Sequence, residues 1–233
     1  MNKEQMISTL REQVVLAKNI RESAKKNPDL SMSKTVLKSF QSDRLKETHS
    51  DLLASPNTKS AATFFLKEIY SSKDLSQRDN DLERLIPIME KMFPLNTLEV
   101  ITQAITLDAL TEKIDTTMAI RLGVKFSSEE YTQVFREVTS KEDRLKQISM
   151  IDSLGKSLAG LVKIPFLSTT LKLMRVPAKI ANLYAIHEFL ETGFTVFKET
   201  QNPEIFVNTL VQREKQLIEQ IYSTQENALK LKF

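Results

Sequence analysis

Apolar residues recur along this chain at spacings of three and four, and prolines or short polar turns punctuate the runs. Met6, Leu10, Val14 and Ala17 share one side of a helix, which predicts a first helix over about 3–26. Asn27-Pro28-Asp29 ends it. A second helix is expected from about Ser33 to Leu53, with Val36, Leu37, Phe40, Leu45 and Leu52 apolar, broken by Ser55-Pro56-Asn57. A third carries Ala61, Ala62, Phe64, Phe65, Leu66, Ile69 and Tyr70, and Ser71-Ser72-Lys73-Asp74 reads as a loop. Asp79 or Asn80 is placed to cap the next helix, with Glu83 near its first turn; Pro87 interrupts that helix and Pro94 ends it.

Leu95 to Leu122 predicts one long helix closed by an αL-type stop at Gly123. Ser127 or Ser128 ahead of Glu129-Glu130 starts another, bearing Tyr131, Val134, Phe135 and Val138. Ser140 caps a segment running through Leu145, Ile148, Ile151 and Leu154. The chain then bends at Gly160 and Pro165 and stops near Pro177, before a helix over about Ala178–Thr200. Asn202-Pro203-Glu204 opens the last helix, whose stripe is Phe206, Leu210, Leu217 and Ile221. No segment alternates with period two. The expectation is therefore an all-α fold: one domain over residues 1–233, an irregular bundle of about nine helices, several bounded by proline. The weak boundary, if the chain divides, falls near 123–127.

Composition supports this and narrows the chemistry. Four glycines in 233 residues are too few for phosphate-cradling loops or tight hairpins, which need positive φ. With no cysteine there is no disulfide, zinc-thiolate or cysteine nucleophile, which fits a cytoplasmic setting. The N-terminus lacks the apolar core of a signal peptide, and no uncharged apolar run is long enough for a transmembrane span. A net charge of +3, with no basic patch interleaved with aromatics, gives no nucleic-acid signal.

That small excess is local. Ser153 to His187 holds no Asp or Glu but carries Lys156, Lys163, Lys172, Arg175 and Lys179 among Leu, Ile, Val, Phe and Met. Two readings compete. One is a central hairpin surrounded by other helices, with lysines emerging at its ends. The other is an apolar site with a basic rim, suited to a fatty acyl chain, an anionic lipid or peripheral contact with a membrane surface. In the second, Lys163, Phe166, Lys172, Met174, Arg175, Tyr184 and His187 are the ligand-binding candidates.

Catalytic groupings are missing. The only histidines are His49 and His187, and neither sits in the Glu-x-x-His pattern of a helical di-iron site. His187 reads as structural or merely exposed, and Tyr184, one turn before Glu188, as a buried hydrogen-bond partner. No metal site and no cofactor are expected. Gly155-Lys156-Ser157 resembles the end of a phosphate loop, but Met150 stands where its first glycine belongs.

A third constellation is Phe64, Phe65 and Tyr70 followed by Arg78, Asp79, Asp81 and Arg84, an interaction corner or a structural corner with a local charged network. Phe64-Phe65-Leu66-Lys67-Glu68-Ile69-Tyr70, then Arg78-Asp79, Pro87 and Pro94, resembles an uncharacterised family of proteobacterial all-helical proteins. That family's segment reads Phe-Phe-Leu-x-(Asp/Glu)-(Leu/Ile)-Tyr, a short loop, Arg-Asp and a Pro-ended helix. Its form often has Gly after the Tyr, where this chain has Ser71. The resemblance implies a helical fold and a bacterial source, no established activity and no catalytic residues.

The leading functional expectation is a non-enzymatic protein acting through contacts with a protein partner or a second copy of itself, as a scaffold or homodimer. The first alternative is a carrier or sensor of an apolar anionic small molecule enclosed around 154–187. The second is an enzyme whose residues converge from distant helices.

Overall fold

The computed structural model describes residues 1–69 and 76–223. Among them every regular element is helical. In chain order these are α1 (Lys3–Lys25), α2 (Pro28–Thr48), α3 (Ser50–Ala54), α4 (Lys59–Phe64), a π-helical turn (Phe65–Ile69), α5 (Ser76–Met92), α6 (Leu95–Leu122), α7 (Ser128–Val138), α8 (Lys141–Leu161), α9 (Leu167–Leu173), α10 (Arg175–Ile180), α11 (Tyr184–Glu199) and α12 (Pro203–Ser223). The all-α expectation holds; the segments outnumber nine because helices read as continuous are broken at His49 and Phe65, and the helix expected over about Ala178–Thr200 is divided at 181–183 into α10 and α11.

Several ends are set by local chemistry. Asn2 and Gln5 form a reciprocal capping box on α1, and Ser127 and Glu130 do the same for α7. Asn27 caps α2 with Pro28 in its first turn, so Asn27-Pro28 starts the second helix five residues earlier than its apolar pattern indicates. Gly123 ends α6 as expected, but at φ 67° and ψ −152°, outside the αL well and in a region essentially reserved for glycine. The capping role given to Asp79 is corrected: α5 starts at Ser76, and Asp79 lies inside it. Pro87 does not break α5, because it faces solvent, where the carbonyl it displaces can turn to water.

α6 organises the rest. Its N-terminal half joins α1, α5 and the start of α11 in one apolar cluster, around Leu10, Val14, Ile86, Leu98 and Ile186. Its C-terminal half joins α2, α4, α7, α8, the end of α11 and α12 in another, around Leu37, Met118, Phe197, Phe206 and Ile221. Between the two runs a belt of buried charge. Arg21 of α1 donates to both oxygens of Asp79 (2.8 Å each) and to Asp108 (2.7 Å), and its Nε lies 3.4 Å from Glu112. Glu112 also pairs with Lys34 and, at 3.6 Å, with Lys38, while Arg78 reaches Asp108 at 3.1 Å. Asp115 accepts from Gln41 at 3.1 Å. Asp108, Glu112 and Asp115 are spaced four and three apart, so they line one face of α6.

Burial opposes ionisation of Glu112, but Lys38, Lys34 and Arg21 together hold its carboxyl below the ordinary range. At Asp79 burial wins over Arg21 and the carboxyl is pushed up.

A second buried cluster fastens α12 to α2. Arg44 makes a two-pronged bond to Glu214 (2.9 and 2.8 Å), which also meets His49 Nε2 at 3.2 Å. Burial raises the Glu214 pKa; Arg44 and His49 outweigh it, leaving the carboxyl at about 2. Arg213, one residue before, clasps Asp51 at 2.6 and 2.8 Å.

Because the folded pKa of Glu214 lies below its unfolded value of about 4.3, its contribution is complete above that value. It is lost as pH falls toward about 2. Glu214→Gln should cost about 3 kcal/mol at neutral pH, since it strips a buried guanidinium of its carboxylate. It should also flatten the acid limb of a urea-melt stability profile. Glycines supply a matched pair. A Cβ on Gly155 would meet Val207 Cγ1 at 2.4 Å and Val207 Cβ at 3.1 Å, whereas one on Gly160 meets nothing within 4 Å. Thermal melts should show Gly155→Ala destabilised by about 1–2 kcal/mol and Gly160→Ala stabilised by about 0.5–1 kcal/mol.

Candidate docking surface

The acid-free stretch is on the surface, and the reading of it as a hairpin enclosed by other helices is overturned. No residue of α9 is buried, and in α10 only Ala178 is. Phe166 is 83 % exposed, Ile180 82 %, Leu173 73 % and Val176 66 %. Ten of the nineteen exposed large hydrophobic side chains among the described residues lie between Leu158 and Leu190. The others are scattered, as on most soluble proteins. This patch is the anomaly.

Its shape follows from three residues. Phe166 holds φ 63°, a left-handed conformation that bulky side chains rarely adopt, and turns the chain from α8 into α9. Pro177 has no N–H to give the carbonyl of Leu173, so helical bonding is interrupted between α9 and α10. Asn182, at φ 55°, turns the chain into α11, a role to which Asn is suited.

With little apolar burial of its own, the α9–α10 excursion is fastened by polar clamps. Arg84 of α5 donates to the carbonyls of Ala181 (2.7 Å) and Asn182 (3.0 Å) at the end of α10. His187 of α11 meets the Leu171 carbonyl of α9 at 2.8 Å through Nε2. A carbonyl only accepts, so Nε2 carries the proton and Nδ1 faces Glu191 at 3.9 Å. Arg175 of α10 donates to the same Glu191 at 2.7 Å, which holds that carboxyl below its usual range.

Each candidate residue has a definite place. Phe166, Met174, Tyr184 and Lys163 lie outward; Tyr184 does bond Glu188, at 3.3 Å, but on the surface rather than in the core. His187 is buried and Arg175 exposed, both as clamps. Lys172 and Lys179 make no ion pair among the described residues, and each directly precedes one of the most exposed apolar residues, Leu173 and Ile180. These side chains therefore line an open face and do not wall off an interior.

The aromatic corner leads to the same place. Phe64 packs on Phe189 of α11 with ring centroids 5.6 Å apart, and the Arg78 guanidinium lies 5.6 Å from that ring. Phe65 packs on Phe197 and Phe206. The charges of this corner reach other elements: Arg78 bonds Asp108, Asp79 binds Arg21 and Arg84 bonds the end of α10. The corner thus braces α11 from behind while α11 and Arg84 carry the exposed excursion. Tyr70 lies outside the described residues.

Elsewhere, a crevice of about 20 Å3 between α2, α4 and α12, lined by Leu45, His49, Leu52, Ala62, Phe65 and Phe206 among others, has room for about one water. Among the described residues no group of three or more His, Asp or Glu is placed to hold a metal ion, and no helix is long and apolar enough to cross a membrane.

A family model described as Domain of unknown function (DUF8198) matches residues 20–228, and the chain belongs to that family. Neither the curated proteins nor the solved structures contain a match to it.

Because Arg84 holds the excursion through two hydrogen bonds, Arg84→Ala should accelerate amide hydrogen exchange across 167–183 by about tenfold or more. Two bonds of about 1 kcal/mol each allow that change. Exchange in α6 and the global melting temperature should stay nearly constant.

Proposed function

We propose that this protein is a non-enzymatic docking module that acts through the face built from the end of α8, α9, α10 and the start of α11. The exposure of Phe166, Leu173, Val176 and Ile180 carries this reading. Burying such a side chain stabilises a fold by about 1.5–3 kcal/mol. A chain that buries Phe197, Phe206 and Leu98 almost completely leaves these four outside. The stabilisation forgone on folding becomes available on association.

The clamps support the same reading. Arg84, His187 and the Arg175–Glu191 pair hold α9 and α10 from behind through polar atoms, which frees the apolar atoms to face outward. Preorganised apolar area costs less ordering entropy when a partner covers it. The expected contact with a protein or a second copy remains within this proposal, as does contact with an apolar anionic partner. A bound small molecule enclosed by Phe166, Met174 and Tyr184 draws no support from their exposure.

Fractionation of host extract tests the docking role. The wild-type chain should run in a large or particulate fraction. Phe166→Ser/Leu173→Ser/Ile180→Ser should run at the mass of the free chain with an unchanged circular-dichroism spectrum, because all three side chains are already in solvent. A triple variant that fractionates like the wild type removes the docking role from this face.

A further inference from the structure

We infer that the occupant of this face is the surface of an anionic lipid bilayer, an inference that rests on the docking role proposed above. The charge pattern is its main support. Ser153 to His187 holds five basic residues and no acid. The acids around the excursion are already engaged: Asp152 by Lys156 at 2.8 Å, Glu204 by Lys163 at 2.8 Å and Glu191 by Arg175 at 2.7 Å. Glu188, at the rim, accepts from Tyr184. Among the described residues Lys172 and Lys179 make no ion pair, although the charge of Lys172 favours the Glu191 carboxylate; they stand seven residues apart, beside Leu173 and Ile180.

Residue type points the same way. Four of the five bases are lysine, a residue depleted from protein–protein interfaces, where arginine and aromatic side chains are enriched. A lysine beside an apolar residue that enters lipid can lay its stem along the acyl boundary and keep its ammonium among headgroup phosphates. A second copy docked face to face would bring Lys172 and Lys179 toward their own equivalents, and like charges in an interface are unfavourable.

The dimensions fit as well. α9 and α10 have seven and six residues, too short to span a bilayer but suited to its interface, where amphipathic segments sink about 5–10 Å. Leu173 at the end of α9 and Ile180 at the end of α10 would enter the acyl boundary, with Phe166 at the turn into α9. Lys172 and Lys179 would stay at headgroup level. The polar clamps on the opposite side keep the rest of the bundle in water.

Flotation of the full chain with vesicles of phosphatidylcholine alone, and of phosphatidylcholine mixed with phosphatidylglycerol, tests this. The wild type should float with the mixed vesicles at low salt and much less with phosphatidylcholine alone. Lys172→Gln/Lys179→Gln should bind the mixed vesicles about 25-fold more weakly, since each basic residue near an anionic surface contributes about fivefold. That difference should shrink as salt is raised. Leu173→Ser/Ile180→Ser should lose binding even at low salt. Failure of the wild type to float with mixed vesicles, or unchanged binding after either double substitution, overturns the inference. If the wild type does not float but the triple serine variant still shifts in host extract, docking stands and its occupant is a protein. If neither is seen, the docking role fails as well.

Discussion

The placement of α1, α2 and α5 depends on how α6 accommodates three carboxylates on its inner face. Asp108, Glu112 and Asp115 lie between two apolar clusters, where an unpaired charge would cost several kcal/mol. Arg21, Lys34, Lys38, Arg78 and Gln41 meet them from α1, α2 and α5. Apolar contact alone tolerates a helix sliding by part of a turn. A guanidinium bonded to both oxygens of Asp79 and to Asp108 does not, because its donors form a rigid fork. Arg21 therefore sets the register of α1 against α5 and α6 together. Burial of the flanking clusters supplies most of the stabilisation, and the charged belt selects among ways of packing them.

This division explains what could be read in advance. Helix positions were legible because apolar spacing, caps and proline are local signals: α1, α6, α7 and α12 fall close to their expected limits. The belt was not legible. Arg21 and Asp79 are 58 residues apart, and Arg44 and Glu214 are 170 apart. Nothing in their immediate neighbourhoods separates them from solvated charges on amphipathic helices. The i, i+4, i+7 spacing of Asp108, Glu112 and Asp115, on the same face as buried Ala119 and Leu122, is the one available signal. Acids in line with a buried stripe imply bases on its neighbours.

The same limit applied to the surface. The acid-free stretch stood out from composition alone, but apolar content does not say whether side chains face inward or outward. What decides is the backbone at Phe166, Pro177 and Asn182, which folds the segment into two short helices lying over α11 instead of a hairpin enclosed by the bundle. Arg84 and His187, singled out for other reasons, are what hold it there.

The belt and the face are coupled through α5. Asp79 fixes α5 to α1 in the charged belt, and Arg84, five residues on, fixes the end of α10 from the same helix. Arg78 binds Asp108 on α6 and lies over Phe189 on α11. A rigid α5 therefore carries the register set by Arg21 out to the exposed excursion. Were the excursion held by apolar burial, its apolar atoms would be consumed by the body and little would remain to dock. Held by backbone carbonyls and one exposed ion pair, it keeps that area outward, in an orientation fixed by the buried Arg21–Asp79 pair. The outward apolar area raises the risk of aggregation, and Lys172 and Lys179, exposed beside Leu173 and Ile180, offset it by making approach to another copy repulsive.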